Sequence, residues 1–306
     1  MATATIDATT TNAATDPYAS RFESQWRAVE RADPIVWGDG DGPLATGQVS
    51  SYRDGGYLAF PQLISNQEAH DLLDEAHRLA EAADPNADDV IIEPNHQVVR
   101  SLFRLHRTNE TIKAICKDDR IAGIARQILG SEVYLHQSRI NFKPAFNGKE
   151  FFWHSDFETW HVEDGMPRMR AVSFSINLTE NNEFNGPLMV VDNSHELYIR
   201  CVGETPDNHF QESLRRQEYG VPSCDALQML VERGKGIEAP KGGPGSATMF
   251  DCNTMHGSVG NLSPAPRTNL FLVFNSVENR LVEPFGGKPP RPEFLGERDV
   301  VPVSQL

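Results

Sequence analysis

His154, Ser155 and Asp156 place an imidazole and a carboxylate one residue apart, inside the string FFWHSDFETWHVEDGMPRM from Phe151 to Met169. In an extended strand the side chains of i and i+2 leave the same face, so a nitrogen and an anionic oxygen converge on one cation. Such a pair is two thirds of the 2-His-1-carboxylate facial triad, which holds Fe(II) on one side and leaves the opposite positions open. An H-x-D by itself is a weak signal, because short pairs of polar residues arise by chance. A second cluster a hundred residues on, MFDCNTMHGS from Met249 to Ser258, offers His256 as the third ligand. Eleven residues later Arg267 opens a run rich in Phe, Leu and Val, ending at Phe274, that reads as a buried strand. An arginine beginning a core strand needs an anionic partner. Beside Fe(II), that partner is the distal carboxylate of 2-oxoglutarate, gripped bidentately by the guanidinium fork. His161 and His195 compete as ligands, but His161 lies outside the H-x-D geometry and His195 fits a loop or capping role.

Ligands this far apart must be brought together by one domain, and 306 residues are enough to bury its core. The expected organisation is a disordered tail over 1–16, a single domain over 17–306 with its core at about 52–279, and a Pro/Gly-rich segment from Arg280 to Leu306. That last segment could be a lid over the pocket, or an arm on a partner subunit from which Arg280 or Arg291 reaches a substrate carboxylate. A formal net charge of -15 argues against nucleic acid and against an anionic membrane surface, both of which need basic patches. No stretch approaches the roughly twenty apolar residues of a spanning helix. The four cysteines show no close pairing, which fits free thiols in a reducing cytoplasm.

The elements around these residues follow from spacing. Tyr18 to Arg31 is expected as a surface helix and Gly56 to Phe60 as a strand. Ser65 to Glu68 forms a capping box that opens a helix with Leu72, Leu73, Ala76 and Leu79 on one stripe. Two helices are expected between Glu110 and Leu129, closed by Gly130. Further helices are expected at Asp207–Arg216 and around Asp225–Glu232. Val133 to Phe142 alternates as a strand, with Gln137, Arg139 and Asn141 on one face, either a solvated surface or the lining of a cavity. Strands at Arg170–Leu178, Gly186–Val191 and Ala247–Phe250 complete a pattern of short strands with turn signals. The fold class is mainly β with flanking α: a double-stranded β-helix, or jelly roll, with its metal at the mouth and helices outside.

The unbroken string from Phe151 to Arg170 resembles the ectoine hydroxylases of the phytanoyl-CoA dioxygenase superfamily, as do His136–Asn141 and Asn253–Ser258. The resemblance implies a non-haem Fe(II) oxygenase that uses 2-oxoglutarate and O₂ as cosubstrates and hydroxylates the small molecule ectoine. His154, Asp156 and His256 are then the metal ligands. Asn141, Ser258 and Arg267 bind 2-oxoglutarate, with Gln137 between cosubstrate and substrate. Trp160 offers its indole face to the substrate's amidinium cation, and Phe250 and Phe274 complete the pocket or belong to the core. The resemblance also allows a homodimer. Glu158, Glu163 and Asp164 receive no proton-transfer role; they are expected to orient the ligand loop or to pair with Arg168 and Arg170. Two rivals stand beside this: a superfamily relative acting on another small molecule, and a non-catalytic barrel with structural zinc, for which no fourth ligand is evident.

Overall fold

Alternation along the strands divides the interior of the protein into two environments. The computed structural model describes residues 6–7, 16–93, 98–210 and 219–306. Its largest sheet runs in the order Tyr57–Phe60, Ala247–Asp251, Ala171–Asn177, Arg267–Ser276, Val133–Lys143, Val99–Phe103, Val90–Ile92, antiparallel at every junction. Val172, Phe174, Ile176, Leu270, Leu272 and Phe274 leave one face of it and pack with Leu72, Ile112, Ile124 and Ile128 in the main apolar core. Ser173, Ser175, Asn269 and Phe271 necessarily leave the other. That second face looks toward a smaller antiparallel sheet in the order Ile237–Glu238, Leu188–Val191, His256–Ser258, Phe151–His154. Residues of both sheets line one cavity, as expected of a double-stranded β-helix.

A bulge adjusts the longest strand to this division. Val273 lies opposite Gln137 but Phe274 lies opposite Leu135, so His136 is an extra residue. Leu135 can therefore join the helix-side core while Arg139 and Asn141 face the cavity.

The helices on the outer face lie close to where the sequence puts them. Asn66–Ala82 opens with the Ser65–Glu68 capping box, and Glu110–Lys117 precedes Ala122–Leu129. Gly130 ends the latter at φ +61, where a Cβ would stand 2.6 Å from the Gly38 nitrogen. Cys224–Arg233 is helical as expected, and the expected helix at 207–216 lies mostly outside the described residues.

The Tyr18–Arg31 expectation is corrected, and the N-terminal end of the chain is described in part. The segment Tyr18–Arg31 is not a helix. Its apolar residues lack a 3.6-residue stripe, and Arg27–Glu30 instead pairs antiparallel with Leu197–Arg200 and parallel with Ile6–Asp7. The tail over 1–16 falls largely outside the described residues, but Ile6–Asp7 are in that strand pair and Asp16 accepts from Tyr18 N at 2.9 Å. The C-terminal segment lies against its own domain. Val282 N and Gly286 N donate to Gly165 O and Val162 O, Phe285 stacks on His161 with ring centroids 3.9 Å apart, and Arg291 grips Asp164 with both guanidinium arms at 2.8 and 2.6 Å. Arg291 is thus committed to a carboxylate of the protein.

Arg21, buried and at φ +65, sits between Glu158 and Glu163 with contacts of 2.6 Å to each. The two acids flank the turn that follows Asp156, so this ion triplet braces the metal-ligand segment from behind. Replacing Arg21 by methionine leaves two buried carboxylates without their cation. Chemical denaturation is expected to show a loss of about 3–5 kcal/mol; a loss below about 1 kcal/mol, the worth of an exposed pair, would contradict the brace.

Candidate metal centre and cavity

The antiparallel register of the small sheet sets His256 directly opposite His154. The strand carrying His154 stops at that residue, and Asp156 is the first residue of the helical turn Asp156–Thr159. The H-x-D is therefore a strand-to-helix junction rather than the continuous strand expected. Ser155 Oγ donates to Asn253 Oδ1 at 3.0 Å and Phe157 N to Cys252 O at 2.8 Å, so the junction is tied to the segment before His256.

Each histidine spends one nitrogen on the main chain. His154 Nδ1 lies 2.8 Å from Phe152 O and His256 Nδ1 lies 3.0 Å from Thr254 O. A carbonyl only accepts, so Nδ1 carries the proton and Nε2 presents its lone pair. The two Nε2 atoms stand 3.5 and 3.8 Å from Asp156 Oδ1, and all three ligand atoms lie within 4.8 Å of one another. Burial opposes the Asp156 charge, but His256, His154 and Arg139 together hold its carboxyl well below the usual range. Burial, then the neighbouring His154, push His256 down to about 4. A neutral imidazole and an ionised carboxylate are the forms that bind a divalent cation. Three donors on one side suit an open site. A structural zinc takes four, and among the described residues this cluster supplies three. His161 is bonded to Met166 O and Asp16 and His195 lies against Arg53 O, so neither competes.

The cavity extends from His154 and His256 past Phe271, Arg139 and Asn141 to Ser258, Lys143 and Arg267. Arg267 is 5 % exposed, and its Nε and Nη1 have no hydrogen-bond partner among the described residues. Burial alone pushes its guanidinium down to about 10. Arg139, half-buried, leaves its Nε unpartnered among the described residues and stands 4.6 Å over the Phe271 ring.

The other expected residues divide between the core and the cavity wall. Phe274 is in the helix-side core, its ring 5.8 Å from that of Phe174; the parity of the strand gives the cavity wall to Phe271 instead. Phe250 packs with Leu188 and Phe271, 4.7 Å from the His256 ring. Trp160 is buried edge-on against His136, centroids 4.9 Å apart, and Gln137 donates to Leu295 O at 2.8 Å. Asn141 accepts from Ser101 Oγ at 2.8 Å on the cavity wall. The acids after Asp156 pair with Arg21 and Arg291, while Arg168 and Arg170 turn to Asp33 and Glu278. Arg139, Lys143 and Phe271 were not singled out as site residues from sequence. Arg139 at least shares the alternating polar face of Gln137 and Asn141.

A sequence model of phytanoyl-CoA dioxygenase matches residues 52–269. The chain belongs to that family. Among its relatives, this dioxygenase is 52 % identical over 288 residues to an ectoine dioxygenase of Bordetella bronchiseptica, covering 93 % of each chain. It is 49 % identical over 286 residues to that of Sphingopyxis alaskensis, covering 92 % of this chain and 93 % of the relative. The crystal structure of EctD from S. alaskensis with 2-oxoglutarate and 5-hydroxyectoine superposes at a TM-score of 0.86, with 43 % identity over 95 % of this chain and 98 % of that one. The same enzyme with bound Fe gives 0.84, at 42 % identity over 94 % and 97 %. A nogalamycin epimerase, SnoN, at 17 % identity, covers 82 % of this chain and 94 % of its own with a TM-score of 0.60, and shares the fold.

Replacing His154, Asp156 or His256 by alanine is expected to weaken Fe(II) binding by more than about a hundredfold, since even partners behind the ligands are worth ten to a hundred. Anaerobic iron titration with circular dichroism on the same samples checks it. A variant that binds stoichiometric Fe(II) as the parent does would remove its residue from the ligand set.

Proposed function

We propose that this protein is an Fe(II)- and 2-oxoglutarate-dependent dioxygenase that hydroxylates ectoine to 5-hydroxyectoine, with release of succinate and CO₂, in the cytoplasm. The observation that carries this is the buried guanidinium of Arg267, unpartnered on the wall of a cavity whose other end holds the His154, Asp156 and His256 donors. A dicarboxylate that chelates a metal at one end and ends in an anion at the other fits both. The ectoine substrate is taken from the relatives named above.

When bound, Fe(II) would let O₂ act as the oxidant: the oxoacid would give up two electrons, lose CO₂ and keep one oxygen atom as succinate, and the other oxygen atom would enter an unactivated C–H bond. The protein's own residues position and exclude water. His154, Asp156 and His256 hold the metal on one side. Arg267 grips the distal carboxylate of 2-oxoglutarate, with Ser258 and Asn141 beside it, which fixes the oxoacid end at the metal. No side chain has to move a proton, consistent with Glu158, Glu163 and Asp164 being consumed in ion pairs.

Ectoine is a ring carrying a carboxylate and an amidinium, and the cavity has a matching second cation. Arg139 takes the substrate carboxylate, and the Phe271 ring, backed by Phe250, offers a π-face to the amidinium. Gln137 leaves the same strand face as Arg139, and Trp160 follows Asp156 by one turn. On that basis both are assigned to the substrate end, where Trp160 adds an indole face.

Two substitutions should separate the ends of the cavity. Arg267→Ala is expected to raise KM for 2-oxoglutarate by tens to thousands, the 2–5 kcal/mol of a buried charge pair losing one partner, roughly, and to change KM for ectoine far less. Arg139→Ala should do the reverse. Steady-state kinetics with each substrate varied in turn decides it, and an unchanged cosubstrate KM in Arg267→Ala would sink the assignment.

A further inference from the structure

Lys143 shares its end of the cavity with Arg267, and the function proposed above does not use it. It closes the Val133–Lys143 strand as the direct cross-strand partner of Arg267. Its stem runs through a slot that glycines leave open. A Cβ on Gly148 would stand 2.2 Å from Lys143 Cγ, and one on Gly186, itself at φ +78, would stand 2.8 Å from Cδ and 3.0 Å from Nζ. At the end of the slot the ammonium donates to Val259 O at 2.6 Å, to Ser258 Oγ at 2.9 Å and to Gly186 O at 3.4 Å.

All three acceptors are neutral. Burial, then Arg267 and Arg100, push the ammonium down to about 6, and Glu150 and Glu93 oppose this less. A built slot that delivers a second cation beside an unpartnered guanidinium makes sense when an anion arrives between them.

The hydrogen bond to Ser258 fixes more than a distance. A carboxylate bound between Lys143 and Arg267 favours the charged form of the lysine; the ammonium then has donors only, so Ser258 Oγ accepts from it and the single hydroxyl proton is left for another acceptor. Ser258 lines the cavity together with Arg267. We propose that Lys143 is a positioning residue for the cosubstrate: it holds the Ser258 hydroxyl as a donor toward the distal carboxylate that Arg267 grips. Its own three protons are spent on Val259, Ser258 and Gly186, so it acts through Ser258 and through its charge. The assignment rests on the 2-oxoglutarate reading of the site, and the test keeps the two apart.

The test compares 2-oxoglutarate with 2-oxobutanoate, which keeps the oxoacid end and lacks the distal carboxylate. Anaerobic calorimetry on the Fe(II)-loaded full-length protein gives Kd for both ligands in the parent, Lys143→Met, Ser258→Ala and the double variant. In Lys143→Met the affinity for 2-oxoglutarate is expected to fall roughly ten- to a hundredfold, the worth of one hydrogen bond to a charged group, with 2-oxobutanoate unchanged. The double variant should bind 2-oxoglutarate no more weakly than Lys143→Met alone, because Ser258 has already lost its orientation. Equal losses for both ligands, no loss, or losses that multiply in the double variant would each overturn the role. If Lys143→Met does not fold, Lys143→Gln enters the same comparison with the same expected losses. A parent protein that does not prefer 2-oxoglutarate over 2-oxobutanoate overturns the reading of Arg267 itself and this role with it. A clear parent preference left intact in Lys143→Met overturns this role alone.

Discussion

A guanidinium buried without an anion is the constraint on which the rest of this structure turns. Removing such an ion from water costs several kcal/mol even after the surroundings relax, and Arg267 offsets little of that within the protein: its Nε and Nη1 remain unpartnered among the described residues. Lys143 across the strand pair is pushed down to about 6 by burial and by Arg267 itself, so it gains its charge when an anion reaches the same end of the cavity. A fold keeps such a feature when the missing charge arrives with a ligand. The opposite end carries three metal donors, so the ligand must be anionic at one end and chelating at the other.

Everything around the cavity serves to hold those two ends at a fixed separation. The register that sets His256 opposite His154 is fixed by main-chain pairing, and the main-chain carbonyls of residues 152 and 254 orient both rings. Asp156 depends on a strand-to-helix junction with little to hold it locally, and distant residues secure it. Cys252 accepts from Phe157 N, Ser173 Oγ donates to Asp156 Oδ2 at 3.3 Å, and Arg21 reaches in from the N-terminal segment to Glu158 and Glu163. The C-terminal segment does the same from the other side through Arg291 and Asp164. These ion pairs lie behind the site rather than in it, and Arg267 is left without a carboxylate partner among the described residues.

Local chemistry made the ligands legible in the sequence, and long-range pairing hid the rest. His154, Asp156, His256 and Arg267 carry recognisable types at recognisable spacing, and the capping box at Ser65 and the Gly130 stop are complete within a few residues. Phe271 and Phe274 could not be sorted, because the Arg267–Ser276 strand is buried along its whole length and shows no alternation in hydrophobicity; only pairing with both neighbours reveals which face each takes. The Arg21 triplet joins residues more than a hundred positions apart, and Arg21 itself lies in no motif. Lys143 sits at a strand end beside Pro144, where a solvated lysine is the ordinary expectation, and only the slot between Gly148 and Gly186 sets it apart.

The account stands on the claim that one dicarboxylate spans the cavity from the metal donors to Arg267. The most direct measurement is an anaerobic crystal structure of the protein with Fe(II) and 2-oxoglutarate. The predicted result is iron on His154, Asp156 and His256, chelated by the oxoacid end, with the distal carboxylate on the Arg267 guanidinium. Iron bound through other residues, or 2-oxoglutarate ordered in the crystal with Arg267 still unpartnered, would contradict it.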